Sequence, residues 1–137
     1  MDCLFCKIVN GTINARKVYE TSKSLAFLDA FPLSKGHTLV IPKNHYNKIQ
    51  EMTESDSRDL FDSVRHIVKK IESISESELI AIHNGKQSGQ EIPHVHVHVI
   101  PRKSLDGAGP VHRMFEKRPS LSDDEFEEIA KIIQNYK

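Results

Sequence analysis

His94-Val95-His96-Val97-His98-Val99-Ile100-Pro101 alternates imidazole with aliphatic side chains and ends on a proline. Period-two alternation predicts a β-strand over Val95–Ile100, stopped by Pro101, which cannot donate to a ladder. Alternate side chains of a strand share a face, so His94, His96 and His98 project together while Val95, Val97 and Val99 turn to the core. Same-face neighbours stand about 6–7 Å apart at a rise of ~3.3 Å per residue. That spacing is too wide for stacked imidazoles and suits one small ligand touching two of them. A solvent-facing strand ordinarily carries Thr, Lys or Glu, so three histidines in a row point to chemistry. Either they bind metal together, or they perform nucleophilic and acid–base work. A catalytic metal site usually adds a carboxylate, and the run has none; Glu91 is the nearest. A neutral imidazole is a competent nucleophile toward phosphorus at neutral pH, and a second one donates to a phosphate oxygen or leaving group. A covalent phospho-histidine would split one hard displacement into two easier ones.

The residues upstream support a phosphate ligand. Asn84-Gly85-Lys86-Gln87-Ser88-Gly89-Gln90 offers glycines, backbone N–H groups and neutral donors, the material of an anion nest that needs no net charge. Further back, Leu60, Phe61, Val64, Ile67, Val68 and Ile71 recur at three and four and predict one long amphipathic helix within 56–74. Short strands are expected at Lys17–Glu20, Ser24–Asp29, His37–Ile41 and Glu78–His83, and a short helix over 3–9 with Asp2 as its N-cap. Beyond an irregular stretch at 102–120, Ser122 and Glu125 form a capping box, and Phe126, Ile129, Ile132 and Ile133 line one face of a last helix. Hairpin-length links join several strands. The fold class is therefore α+β with a mostly antiparallel sheet, one long helix and a C-terminal helix.

The chain has 137 residues, the size of one domain, spanning 1–137. Its 19 Lys and Arg balance 19 Asp and Glu, so no net field exists to hold a polyanion, and a nucleic-acid partner is not expected. No apolar run approaches the ~18 residues of a membrane span, and the charged opening residues do not read as a signal peptide. A cytoplasmic protein with no membrane partner follows as the expectation. Reduced thiols then make Cys3-Leu4-Phe5-Cys6 a metal site, a redox pair or a chance spacing before a structural disulfide.

The run His94 to Ile100 matches, at every position, the His-φ-His-φ-His-φ-φ signature (φ apolar) of the histidine-triad nucleotide-binding proteins, and the chain resembles that family further. Gly36-His37-Thr38-Leu39-Val40-Ile41-Pro42 looks like its Gly-His-x-Leu-Val-x-Pro segment, Leu25 to Asp29 like its ribose-binding strand, and Gly89-Gln90 like its phosphate loop. The matches run from about residue 3 to 102, leaving 103–137 as an uncovered tail and helix. The resemblance implies a homodimer with its sheet continued across subunits, and hydrolysis or transfer of a purine nucleoside monophosphate without an organic cofactor. Residue by residue, it implies that His96 is the nucleophile, that His98 contacts the phosphate, and that the His98 carbonyl fixes the His96 tautomer. It makes His37 the fourth histidine paired with the triad. Asp29 would bind the ribose, Gly89 and Gln90 the phosphate, and Phe5, Ile8 and Ile13 the base. His83 stands where Asn or Gln is usual in the family, which adds a titratable group near the phosphate. Glu91 stands where Ser marks the phosphoramidase branch and Thr the dinucleoside polyphosphate branch, so the leaving group is open; Glu91 itself is a candidate acid.

For the cysteines, His45 and His94 are the candidate third and fourth ligands, in the spacing Cys-x2-Cys-x38-His-x48-His. The resemblance is to bacterial zinc-containing members that use this set. Four protein ligands would close the tetrahedron, making the zinc structural. Rival readings are a nucleotide-binding regulatory dimer with little turnover and a metallo-hydrolase that uses the triad as ligands.

Overall fold

A computed structural model describes residues 2–137. The elements are α1 (Leu4–Val9), β1 (Lys17–Glu20), β2 (Ser24–Leu28), β3 (Thr38–Pro42), α2 (Glu54–Ile71), β4 (Ser77–Ala81), β5 (Val97–Arg102) and α3 (Asp123–Asn135), with single 3-10 turns at Ile49–Glu51, Lys86–Ser88 and Val111–Arg113. The five strands form one antiparallel sheet in the order β1-β2-β3-β5-β4. The chain divides into two compact units, one ending at Asp106 and the other running from Gly107 to Lys137. The second contains α3, started by the reciprocal Ser122–Glu125 capping box; Phe126, Ile129, Ile132 and Ile133 on it are exposed.

In the first unit the sheet is covered on both faces. Leu60, Val64, Ile67 and Ile71 of α2 pack on Ala26, Val40, Val95, Val97 and Val99. Cys3, Phe5 and Ile8 pack against Leu25, Phe27, Leu39 and Ile41 on the other side. Since alternate residues face opposite ways, the histidines of the run lie on this second face, under the N-terminal segment. His94 and His96 are accordingly buried, at 0% and 7% exposure.

Several expectations are corrected. The N-cap of α1 is Cys3, whose sulfur accepts from the Cys6 amide, while Asp2 pairs with Lys7 at 2.7 Å. Phe61 is 43% exposed, because the buried seam at Leu60, Val64, Ile67 and Ile71 leaves its neighbour about 100° round the helix. His66 is exposed and stacks on Tyr19 at 5.1 Å between ring centroids. Pro101 does not end β5 but lies inside it, opposite Glu78. The N and C=O of one strand residue point to the same edge. The Pro101 carbonyl accepts from Ser34 Oγ at 2.7 Å, so the missing N–H falls toward the β3 side, beyond the last β3–β5 pair, Thr38 with Val99. No bond to β4 is lost.

The start of α2 also holds the segment that carries His45. The Thr53 hydroxyl caps the helix through the Asp56 amide. The Asp56 carboxylate accepts from Tyr46 Oη at 2.6 Å and Asn44 Nδ2 at 2.9 Å, which holds its pKa below the ordinary 3.8. Asp56→Ala strands both donors and is expected to cost about 1–3 kcal/mol in urea denaturation at pH 7. A group whose native pKa is lowered stabilises above its unfolded pKa. The difference from wild type should therefore shrink as pH falls through the native value, below 3.8.

Candidate active site

A cleft of about 690 Å³ opens beside the histidine run. Phe5, Ile8, Ile13 and Phe27 give it an apolar end; Asp29, His37, His83, Gly89, Glu91, His96 and His98 line the rest. Phe5 meets both Phe27 and His96 edge-on, with centroids 5.7 and 5.0 Å apart. Phe27 is buried at 3%, whereas Phe31 stands on the rim at 88% exposure. His96 and His98 approach edge to face with centroids at 5.0 Å, closer than the strand spacing alone suggests but not stacked.

Backbone groups fix the protons on these rings. His96 Nδ1 lies 2.7 Å from the His94 carbonyl, which can only accept. Nδ1 therefore carries the proton and Nε2 keeps its lone pair. The fixing carbonyl belongs to His94, not to His98 as the resemblance implied; residues 94–96 precede β5, so this oxygen is not committed to the ladder. The Leu33 amide donates to His37 Nδ1 at 3.0 Å, which puts the His37 proton on Nε2. His37 Nε2 then donates to His98 Nδ1 at 3.0 Å, and the proton of neutral His98 is left on Nε2. The result is an accepting nitrogen on His96 beside a donating one on His98. Burial lowers the pKa of His37 and His96, with Asp29, 3.6 Å from His37 Nε2, pulling the other way on both. His98 is pushed down to about 4, by burial first and then by the imidazoles of His96, His37 and His83. These rings work as neutral groups.

Asp29 lines the cleft while its Oδ1 accepts from the Phe31 amide at 2.9 Å, so it is also a turn former. Gly89 adopts φ +104°, and a Cβ there would come within 3.3 Å of His83 Cδ2. Gln90 does not line the cleft. Its Oε1 accepts from the Gly85 amide at 3.1 Å and its Nε2 donates to the Asn47 carbonyl at 2.8 Å, so its side chain shapes the loop and does not face the ligand space.

Cys3, Cys6, His45 and His94 converge behind Phe5, their ligand atoms all within 4.8 Å of one another. His94 Nδ1 lies 3.5 and 3.6 Å from the Cys3 and Cys6 sulfurs, and His45 Nδ1 3.4 Å from Cys6 Sγ. Tetrahedral zinc, with Zn–S about 2.3 Å and Zn–N about 2.0–2.1 Å, sets S and N ligands about 3.5–3.6 Å apart. His94 Nε2 donates to the Pro42 carbonyl at 2.8 Å and His45 Nε2 bonds Asn47 Oδ1 at 3.0 Å, leaving both Nδ1 atoms as acceptors turned to the sulfurs. The donor set, its spacing and its tautomers thus suit a closed metal site. Asp29, His37 and His98 also converge. There, however, the Leu33 amide keeps the proton on His37 Nε2, so that nitrogen has no lone pair for a metal. The Leu33 amide, the Pro42 and His94 carbonyls and Asn47 escaped the sequence reading. Three are backbone groups without a side-chain signature, and Asn47 is visible only as an amide two residues after a ligand.

The HIT domain model matches residues 10–105. The chain belongs to the HIT domain family. Among HIT relatives, the adenosine 5'-monophosphoramidase of Schizosaccharomyces pombe is 44% identical over 102 residues, covering 74% of this chain and 75% of that one. The bis(5'-nucleosyl)-tetraphosphatase (asymmetrical) of the same organism is 40% identical over 96 residues, covering 69% of this chain and 53% of the other. A crystal structure of a HIT family member from Bacillus subtilis superposes with a TM-score of 0.87 at 34% identity, covering 98% of this chain and 96% of that one.

The tautomers are testable by nitrogen-15 NMR of the histidine side chains. We expect the proton on Nδ1 of His96 and on Nε2 of His37 and His98. Lowering the pH from 7 should leave His98 neutral until near its pKa of about 4. Because the unfolded imidazole protonates near the ordinary 6.5, stability should fall as pH drops from about that value toward 4.

Proposed function

We propose that this HIT-family hydrolase attacks the α-phosphorus of a purine nucleoside phosphoramidate, or a related AMP conjugate, through a nucleotide held covalently on His96. The carrying observation is the bond of His96 Nδ1 to the His94 carbonyl, which turns a lone pair on Nε2 toward the cleft. In the first step Nε2 forms a bond to phosphorus and the bond to the leaving group breaks. In the second, water attacks, the P–N bond breaks and AMP departs. His98 Nε2–H donates to a phosphate oxygen as charge builds there, and His37 holds that donor in place. Asp29 binds the ribose, and Phe5, Ile8 and Ile13 enclose the base. The loop amides around Gly89 bind phosphate, and Gln90 supports them through the loop. The relatives named as a phosphoramidase and a tetraphosphatase support a nucleotide substrate and differ in the leaving group. A dinucleoside polyphosphate is the second candidate. Brief exposure to an AMP–amine conjugate, an acid quench and intact mass spectrometry should show an adenylyl adduct on wild type and none on His96→Ala. No adduct and no AMP release would favour a regulatory binding protein instead.

We propose further that Cys3, Cys6, His45 and His94 hold a structural zinc, as in the bacterial zinc-containing type. Such an ion would tie the segment bearing Phe5 and Ile8 to the triad. We also propose a homodimer. Among the described residues β4 is an edge strand, paired only with β5, with Leu79 and Ile80 37% and 47% exposed, and a second copy adding there would continue the sheet. A reducing cytoplasm would keep the two free thiols able to bind metal; among the described residues no helix is long and apolar enough to cross a membrane. Native mass spectrometry should find two chains with two zinc ions. Cys3→Ser should lose zinc and melt lower together; a zinc-free variant with unchanged melting would refute the structural role.

A further inference from the structure

Four imidazoles face the cleft: His37, His83, His96 and His98. His37 has both nitrogens engaged, and His96 and His98 each have one committed. His83 is different. Among the described residues its ring nitrogens hold no hydrogen bond, yet the ring is fixed by packing. It lies edge-on to His98, with centroids 5.5 Å apart, and against Gly89, where even a methyl group would come within 3.3 Å. The His96 ring meets the same His98 at 5.0 Å, so His83 stands one ring away from the nucleophile, on the side of the phosphate loop. It is half-buried, two residues beyond the end of β4, and can exchange protons with water.

We infer that His83 is the proton carrier for the leaving group. Its imidazolium gives a proton to the bridging nitrogen or oxygen as the phosphorus bond to that atom breaks and the bond to His96 Nε2 forms. Neutral His83 then takes a proton from the water that displaces His96, and the enzyme returns to its starting state. The inference rests on the phospho-histidine reading above. His98 cannot take this role: at a pKa of about 4 it offers a hydrogen bond and no spare proton. Glu91 lines the same cleft but is exposed, whereas His83 is packed against His98 and Gly89. The charged and titratable groups that line the cleft with His83 are His96 and His98 of the histidine run, His37 before β3, Asp29 after β2, Arg16 before β1 and Glu91, while Lys48 reaches Gly85 at the start of the loop.

The test compares two AMP conjugates, one with an alkylamine leaving group that needs a proton and one with a nitrophenolate that does not. His83→Asn, with His83→Gln as a second variant against misfolding, should lower kcat on the amine conjugate by about 100-fold or more and on the nitrophenyl ester by less than about tenfold. The fall in wild-type rate at alkaline pH should disappear in both variants for the amine conjugate. Equal losses on the two substrates, an unchanged alkaline limb, or the selective loss appearing in Glu91→Gln instead would overturn the assignment. If wild type cleaves neither substrate, or His96→Ala keeps its turnover, the phospho-histidine reading itself fails. His96-dependent turnover with losses in His83→Asn that ignore the leaving group refutes His83 alone.

Discussion

His94 holds the two halves of the site together. Its ring lies among the sulfurs of Cys3 and Cys6, with Nε2 on the Pro42 carbonyl, and its own carbonyl oxygen sets the proton on His96. It is wholly buried. A side chain anchored at both ring nitrogens cannot rotate without moving its backbone, so the carbonyl that orients His96 inherits the rigidity of the cluster. A small displacement of that cluster would pass directly to the His96 nitrogen that faces the cleft.

The cost of this design is burial of neutral imidazoles. Each ring gives up water and gains one or two hydrogen bonds in return. The protein meets that requirement with backbone groups: the Leu33 amide, the His94 carbonyl and the Pro42 carbonyl. Backbone partners do not titrate. The neutral state of the rings is thus a property of the fold.

Much of this could be read from the chain. The alternation of residues 94–100 placed three imidazoles on one face, and the seam from Leu60 to Ile71 located the helix that covers the other. The four-residue Cys and His set converges as its residue types suggest. What stayed hidden is instructive. Periodicity assigns a face to a side chain but says nothing of which carbonyl it meets, and the resemblance puts the His98 carbonyl where that of His94 serves. It treats Pro101 as a stop because it cannot know which edge of β5 the missing N–H would face. Gln90 has the right chemistry for a phosphate and the right position in the loop. Its amide is nonetheless taken up by Gly85 and Asn47, a choice made by a loop closure that no local pattern records.

The six residues of α1 are too few to hold a helix in water unaided. Their apolar partners are on β2 and β3, and one polar partner comes from the far end of the same unit: Cys3 and His94 are 91 positions apart. In a chain emerging from the ribosome, Cys3, Phe5, β2 and β3 appear early, and the histidine run appears late. Contacts of such long separation carry a loop-closure cost that is met only once the intervening strands are paired. A nascent chain short of residue 94 therefore holds the partners of the apolar wall at Leu25, Phe27, Leu39 and Ile41 but none of the three histidines that the wall covers.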